Sequence, residues 1–314
     1  MTSGGVVVAT EPFFDTRRIG EASVSVISEG TLPWAPRLQA PEAEWRAVVS
    51  NADANGVVPL GMNLVLIHAG EAVILVDPGF EDPSDTDAET WPGLVRSPGL
   101  HAALQSMDVK PEQITHVLLT HTHGDHYAGV TVMHKGERVP RYPHARYYVG
   151  RADWEQNPER ARPDSMLATQ LGTLAGLNLL ELVDNSREIA PGASSPDSRI
   201  GAPVTGGHEP PSVTMLAAPG ESAGHCIVHL RSGSETFYFL GDLFHLGCEV
   251  EHPDWVSPGR DKATMLASRP GVRADAAASH ATVVFSHEPF PGWGQIVATE
   301  NGYRWEPSGV LSHD

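Results

Sequence analysis

The chain has 314 residues and carries 39 acidic against 21 basic side chains, a formal net charge of −18 that repels phosphate backbones and excludes an unassisted nucleic-acid partner. At 40% hydrophobic and 19% charged residues the composition is that of a folded protein, and 31 glycines with 26 prolines exclude long helical bundles in favour of many short elements. No window approaches the roughly 18 uninterrupted apolar residues that a membrane span needs.

The first ten residues offer only the short apolar run Val6-Val7-Val8-Ala9, with no basic region before it. No secretory signal is expected, and the location that follows is cytoplasmic. Two cysteines, Cys226 and Cys248, are too few for a disulfide scaffold and read as free thiols in a reducing compartment. Apolar runs of strand length, mostly β-branched or aromatic, fall at 24–27, 64–67, 73–76, 116–119, 146–149, 237–240 and 282–285. Between them lie helix-like stretches at 100–107, 152–159, 165–180 and 261–267. Residues 191–212, rich in Pro, Gly and Ser, read as a surface loop inserted before the next strand. No repeat and no interdomain linker interrupts the pattern. The expected architecture is one domain over 1–314, an α/β (α+β) fold of four layers in which two sheets are covered by helices on their outer faces, an αββα sandwich.

Residues 119–126, Leu-Thr-His-Thr-His-Gly-Asp-His, follow one apolar run directly and pack three histidines and a carboxylate into six residues. Residues two apart in an extended segment point the same way, so His121 and His123 face one point. Asp125 and His126, beyond the turn at Gly124, face a neighbouring one, which makes room for two metal ions. Sixteen histidines in the chain would produce His-x-His-x-Asp-His by chance in about two chains per thousand. Each ion of a dinuclear site takes about four to six donors with solvent counted, so further ligands are needed. His225 follows a turn-rich stretch, Asp242 and His287 end apolar runs, and Asp77 follows 73–76. Side chains just beyond strand ends collect on one rim of a sheet, where open α/β folds build their sites.

Asp77, His121-x-His123-x-Asp125-His126, His225, Asp242 and His287, in that order, resemble the metallo-β-lactamase superfamily of hydrolases over nearly the whole chain. The resemblance implies one ion held by His121, His123 and His225, a second held by Asp125, His126 and His287, Asp242 bridging the two, and Asp77 supporting the ligands from behind. Gly61-Met62-Asn63-Leu64, Val76-Asp77-Pro78-Gly79, Gly241-Asp242-Leu243-Phe244-His245 and 287–292 look like the branch that contains acyl-homoserine-lactone lactonases and methyl parathion hydrolase. That branch usually carries one more histidine where this chain has Glu221.

The activity so implied is metal-dependent opening of a lactone ester, a quorum-quenching reaction on a small hydrophobic substrate. Two ions sharing a solvent molecule lower its pKa toward neutrality, and the second ion polarises the carbonyl or phosphoryl oxygen, so no serine nucleophile is required. No Gly-x-Ser-x-Gly elbow is present. Asp125 and His245 are the candidate catalytic residues, with His245, three after Asp242, placed to protonate a leaving alkoxide or to bind substrate. Histidine and carboxylate donors suit zinc, and also fit manganese, iron or cobalt. Phe80, Phe244, Phe290 and Trp293, with Trp91, are candidates for lining a hydrophobic pocket. Trp34 either covers that pocket or meets a second subunit in a homodimer. Phosphotriester, carboxylester and thioester hydrolysis are the alternative chemistries. A non-catalytic metal-binding protein is the alternative of another class, disfavoured because structural zinc sites are closed and mononuclear.

Overall fold

The structure is a computed structural model, and it describes residues 12–49, 51–82, 91–190 and 210–308. Most of the expected loop at 191–212, and the apolar run at the N-terminus, lie outside the described residues. The first part of the chain supplies β1 (Phe14–Ile19), β2 (Ala22–Trp34), β3 (Val58–Ala69), β4 (Ala72–Val76), β5 (Val95–Arg96), β6 (His116–Leu119), the hairpin β7 (Thr131–His134) and β8 (Glu137–Pro140), β9 (Arg146–Gly150) and β10 (Leu180–Val183). The second part supplies β11 (Ser186–Ala190), β12 (Ser212–Ala217), β13 (Cys226–Ser232), β14 (Glu235–Phe239), β15 (Thr282–Val284), β16 (Gly294–Thr299) and β17 (Gly302–Pro307). Among the described residues the first sheet runs β1-β2-β3-β4-β6-β9-β10, with β5 paired to β2, and the second runs β11 to β17 in sequence order. The helices are α1 (Glu42–Val48), α2 (Gly99–Ser106), α3 (Gly124–Tyr127), α4 (Arg151–Glu155), α5 (Met166–Gly176), α6 (Cys248–Glu251) and α7 (Lys262–Ala278).

Successive side chains of a strand point to opposite faces, and both faces of these strands are apolar because both are covered. Val24, Val26, Val65, Ile67, Ile74, Val76 and Leu118 turn toward the second sheet and meet Val213, Met215, Val228, Leu230, Phe237 and Phe239. Their alternates, Ile27, Leu64, Leu66, Leu75, Val117 and Leu119, turn outward against Leu100 and Leu104 of α2 and Leu167, Leu171 and Leu174 of α5. On the far side Ile227, Tyr238, Val283 and Phe285 pack under Val250 of α6 and Ala276 of α7. The layers are therefore helix, sheet, sheet, helix, the αββα sandwich expected from the sequence.

The strand polarity decides where polar side chains gather. β4, β6 and β9 are parallel neighbours in one sheet, and β14 and β15 in the other, so their C-terminal ends lie on common rims. β13 is antiparallel to β14, which brings its N-terminal end to that same rim.

Three helices differ from the sequence expectation. The stretch 165–180 stops at Gly176, and its last residue, Leu180, opens β10. The stretch 152–159 is cut short because Pro158 opens a separate 3-10 turn, leaving α4 as Arg151–Glu155. In the other direction, α7 runs on through Pro270 and Gly271 to Ala278. Pro270 is exposed, so the carbonyl freed by its missing N–H faces the solvent side. Asp261 caps this helix by accepting the Thr264 N–H, and Ser165 caps α5 through the Ala168 N–H.

Glu29 of β2 is buried, accepts the Leu100 N–H at 2.6 Å at the head of α2, and lies 3.9 Å from Arg96. Burial outweighs these partners and pushes its carboxyl from 4.5 up to about 7. The folded chain thus holds a proton that the unfolded chain releases above pH 4.5, so this contribution to stability is full below that value and lost as pH rises to about 7. Glu29→Gln keeps an oxygen acceptor without the charge. Its stability relative to the wild type is expected to rise by up to about 3 kcal/mol between pH 5 and pH 8. Parallel pH curves in denaturant melts of the two proteins would contradict this.

Candidate metal centre

Asp77, at the end of β4, organises the rim. Its Oδ1 accepts the Thr120 N–H at 2.7 Å, and its Oδ2 accepts the Thr120 hydroxyl at 2.7 Å and the His126 Nδ1–H at 2.9 Å. Three of the other rim histidines also have Nδ1 anchored from outside. His225 Nδ1 donates to Ala218 O at 2.9 Å, His287 Nδ1 to Gly61 O at 2.9 Å, and His121 Nδ1 pairs with the Thr120 hydroxyl at 3.1 Å. With Nδ1 occupied outside, each ring turns Nε2 inward, the orientation a metal-binding imidazole requires.

The inward atoms converge on Asp242, which lies just beyond β14 and is 2% exposed. Its Oδ2 is 3.0 Å from His287 Nε2, 3.3 Å from His245 Nε2 and 3.7 Å from His121 Nε2, while Oδ1 is 3.4 Å from His126 Nε2. Asp125 Oδ2 lies 3.6 Å from His126 Nε2 and 3.7 Å from His287 Nε2. His123 Nδ1 is 2.8 Å from His121 Nε2, and its side chain is 46% exposed, so it stands at the mouth. His225 Nε2 accepts the Asp242 N–H at 3.1 Å and so abuts the cluster through the backbone of Asp242.

Burial alone would raise the Asp242 carboxyl, but the imidazoles of His287, His126 and His121 hold it well below the usual carboxylate range. Conversely, burial should depress His126, yet Asp242, Asp125 and Asp77 hold its pKa well above the ordinary value. The cage favours positive charge at that point. His126 Nε2 and Asp242 Oδ1 are also buried without a hydrogen-bond partner, a pair of orphaned donor atoms in a favourable field. The donor set fits divalent metal. One donor set comprises His121, His123, Glu221 and Asp242 and another Asp125, His126 and His287, with the ligand atoms of each set within 4.8 Å of one another.

One participant, Asp153, carries no recognisable sequence signal. The buried Asp153 of α4 accepts the Thr122 N–H at 2.9 Å, the Ser222 hydroxyl at 2.8 Å and the Gly224 N–H at 2.6 Å, tying the His121–His123 segment to the loop before His225. Glu221 is buried beside His123, at 3.3 Å, and is paired to Arg260. His245, the candidate proton donor, is buried between the stacked rings of Trp34 and His287, with centroids 5.3 and 5.2 Å away. Trp34 therefore covers the site.

The aromatic candidates divide. Phe244 is fully buried against Phe285 beneath Arg269, and Trp293 packs against Phe237 between the sheets while donating Nε1–H to Asp15 at 2.7 Å. Both belong to the core rather than to a pocket wall. Phe290 leans on the same inter-sheet core, whereas Phe80 and Trp91 meet edge to face at 4.9 Å in a cluster with Trp34 and Leu246. Cys226 is buried with its thiol directed at Gly224 O and pushed up to about 12 by burial, an inert core residue.

Gly61 shows how tightly the rim is assembled. Its N–H donates to His287 O at 3.1 Å while its carbonyl holds the His287 ring, and a Cβ here would stand 2.2 Å from Glu288 O. Gly61→Ala is expected to cost about 1–3 kcal/mol and to lower turnover by displacing His287. An alanine variant with wild-type melting and rate would show that the rim yields freely.

The profile of the metallo-beta-lactamase superfamily matches residues 57–287. AidC, a dizinc quorum-quenching lactonase solved with the product N-hexanoyl-L-homoserine, superimposes with a TM-score of 0.69 at 23% identity, over 95% of this chain and 98% of that one. A probable metal-dependent hydrolase from Staphylococcus aureus gives 0.71 at 20% identity, over 94% and 100%. These likenesses establish the fold. An atrochrysone carboxyl ACP thioesterase of Pseudocercospora fijiensis is 27% identical over 118 residues, 38% of this chain and 30% of that protein, so the match spans under a third of the curated relative. With the profile covering the segment that holds every rim residue from Gly61 to His287, the chain belongs to the metallo-beta-lactamase superfamily.

Proposed function

We propose that the protein is a dinuclear metal-dependent hydrolase that opens the ester ring of a small hydrophobic lactone of the acyl-homoserine type. The observation that carries this reading is the facing pair of orphaned atoms, His126 Nε2 and Asp242 Oδ1, set between two groups of donors on one rim. His121, His123 and His225 would hold one ion, Asp125, His126 and His287 the other, with Asp242 shared. Zinc fits these donors, as do manganese, iron and cobalt. When bound, the ions supply an activated water and a Lewis acid for the carbonyl.

The chain's own residues do the rest. His123, the most exposed of the rim histidines, marks the side from which substrate enters. Trp34, half-buried and stacked on His245, gives an acyl chain an apolar surface at the site. His245, 3.3 Å from Asp242 Oδ2 and fixed between two rings, stands ready to give the leaving alkoxide its proton.

Proton release followed in a pH-stat tests the reading, with an aliphatic acyl lactone, a phosphotriester and an acyl thioester run in parallel, each against a chelator-treated control. The lactone is expected to turn over at least about tenfold faster than the others, and chelation is expected to abolish turnover while the far-UV circular dichroism is kept, because three apolar clusters hold the layers together. The short match to a thioesterase favours the thioester as the second reading, and a faster thioester would select it. Turnover that survives exhaustive chelation would remove the metal-dependent reading.

A further inference from the structure

Glu221 stands beside His123, and the ligand scheme proposed above does not use it. Its side chain is wholly buried, an environment that a carboxylate tolerates only with compensating partners. Arg260 supplies one: Nε lies 2.9 and 2.8 Å from the two carboxylate oxygens, and Nη2 lies 2.8 Å from Oε1. A carboxylate has about four lone-pair sites, and the guanidinium does not exhaust them. Oε1 is also 3.3 Å from His123 Nδ1 and 3.9 Å from His245 Nε2.

The spacing is informative. Donors bound tetrahedrally to one ion at about 2.0–2.1 Å lie roughly 3.3 Å apart. His121 Nε2 to His123 Nδ1 is 2.8 Å, His123 Nδ1 to Glu221 Oε1 is 3.3 Å, and His121 Nε2 to Asp242 Oδ2 is 3.7 Å, a chain of donors around one point.

We propose that Glu221 is a direct ligand of the ion at His121 and His123, through Oε1, with Arg260 as the positioning residue that presents this oxygen. The inference rests on the dinuclear reading and deepens it. It adds a second carboxylate to the imidazoles and Asp242 at that site. Carboxylate oxygens suit harder ions, so the site gains affinity for Mn2+ relative to Zn2+. The Arg260 charge offsets the surplus negative charge of two carboxylates beside one ion.

The test reads metal binding, not hydrolysis. Chelator-stripped wild type and Glu221→Gln are titrated calorimetrically with Mn2+ and with Zn2+, and the Co2+ forms are compared by visible absorption. The expected result is two sites in the wild type, at least a tenfold loss of Mn2+ affinity at one site in the variant with a smaller loss for Zn2+, and an altered Co2+ spectrum. Arg260→Gln keeps the carboxylate but loses the group that presents it, and is expected to lose less Mn2+ affinity at that site than Glu221→Gln. Wild-type crystals grown with Mn2+ give a measurement independent of variant folding, with an anomalous peak about 2.2 Å from Glu221 Oε1 expected. Two sites of unchanged affinity and spectrum in Glu221→Gln, or a peak more than about 3 Å from Oε1, would overturn the inference and leave the hydrolase reading intact. A wild type that binds no metal would overturn both.

Discussion

Asp242→Ala is expected to lower kcat/KM on the lactone by at least about 10³, a loss of some 4 kcal/mol in transition-state stabilisation. No other side chain touches so much of the cluster, since its two oxygens approach His121, His126, His245 and His287 within 3.0–3.7 Å. Without it four imidazoles lose their shared counter-charge, and the two donor sets lose the carboxylate that joins them. Elemental analysis should show fewer than two ions per chain. Asp242→Asn separates charge from shape: a loss as large as that of the alanine variant assigns the effect to the charge. Activity within tenfold of the wild type in either variant, at unchanged metal content, would refute the central role of this residue.

Arg269→Leu is expected to destabilise the fold by about 3–5 kcal/mol, read as a shift in the denaturant midpoint. Arg269 of α7 is 0% exposed and donates Nε to Leu243 O at 2.8 Å, Nη1 to Pro253 O at 2.7 Å and Nη2 to Glu249 at 2.5 Å. Glu249, 2% exposed, spends its other oxygen on the N–H groups of His245 and Leu246, both at 3.1 Å. The pair thus fixes the turn that aims His245. Removing the guanidinium leaves Glu249 buried without its counter-charge, which costs far more than the pair itself contributes. The double variant Arg269→Leu with Glu249→Leu should therefore be closer to wild type in stability than the single one, yet still impaired in turnover because the turn has lost its acceptor. A double variant less stable than the single would contradict the buried-charge account.

The sequence made the rim legible where chemistry is local. His-x-His-x-Asp-His occupies one turn, and Asp77, Asp242 and His287 each end a run of β-branched or aromatic residues that forms a strand. What stays hidden is written in partnerships between distant segments. Asp153 meets Gly224 across 71 residues and Arg260 meets Glu221 across 39, and neither has a periodicity or motif to announce it. β2 and β3 extend far beyond the apolar runs 24–27 and 64–67: their continuations contain Pro33, Pro59, Gly30 and Gly61, which break an apolar strand pattern, yet Leu32 pairs with Leu60 and Pro33 with Pro59. Phe244 and Trp293 illustrate the converse: proximity to a motif in sequence cannot distinguish an aromatic that faces a cavity from one that fills the layer behind it, and here both fill the layer.

The rim lies at a seam. His121, His123, Asp125 and His126 follow a strand of the first sheet, whereas His225, Asp242 and His287 border strands of the second. Anything bound between them is a cross-link joining the two halves of the chain, and by mass action it strengthens the folded state by roughly 4 kcal/mol for each site at a thousandfold excess over its dissociation constant. Trace-metal supply in the growth medium then governs how long the protein survives protease and heat, before any question of turnover arises.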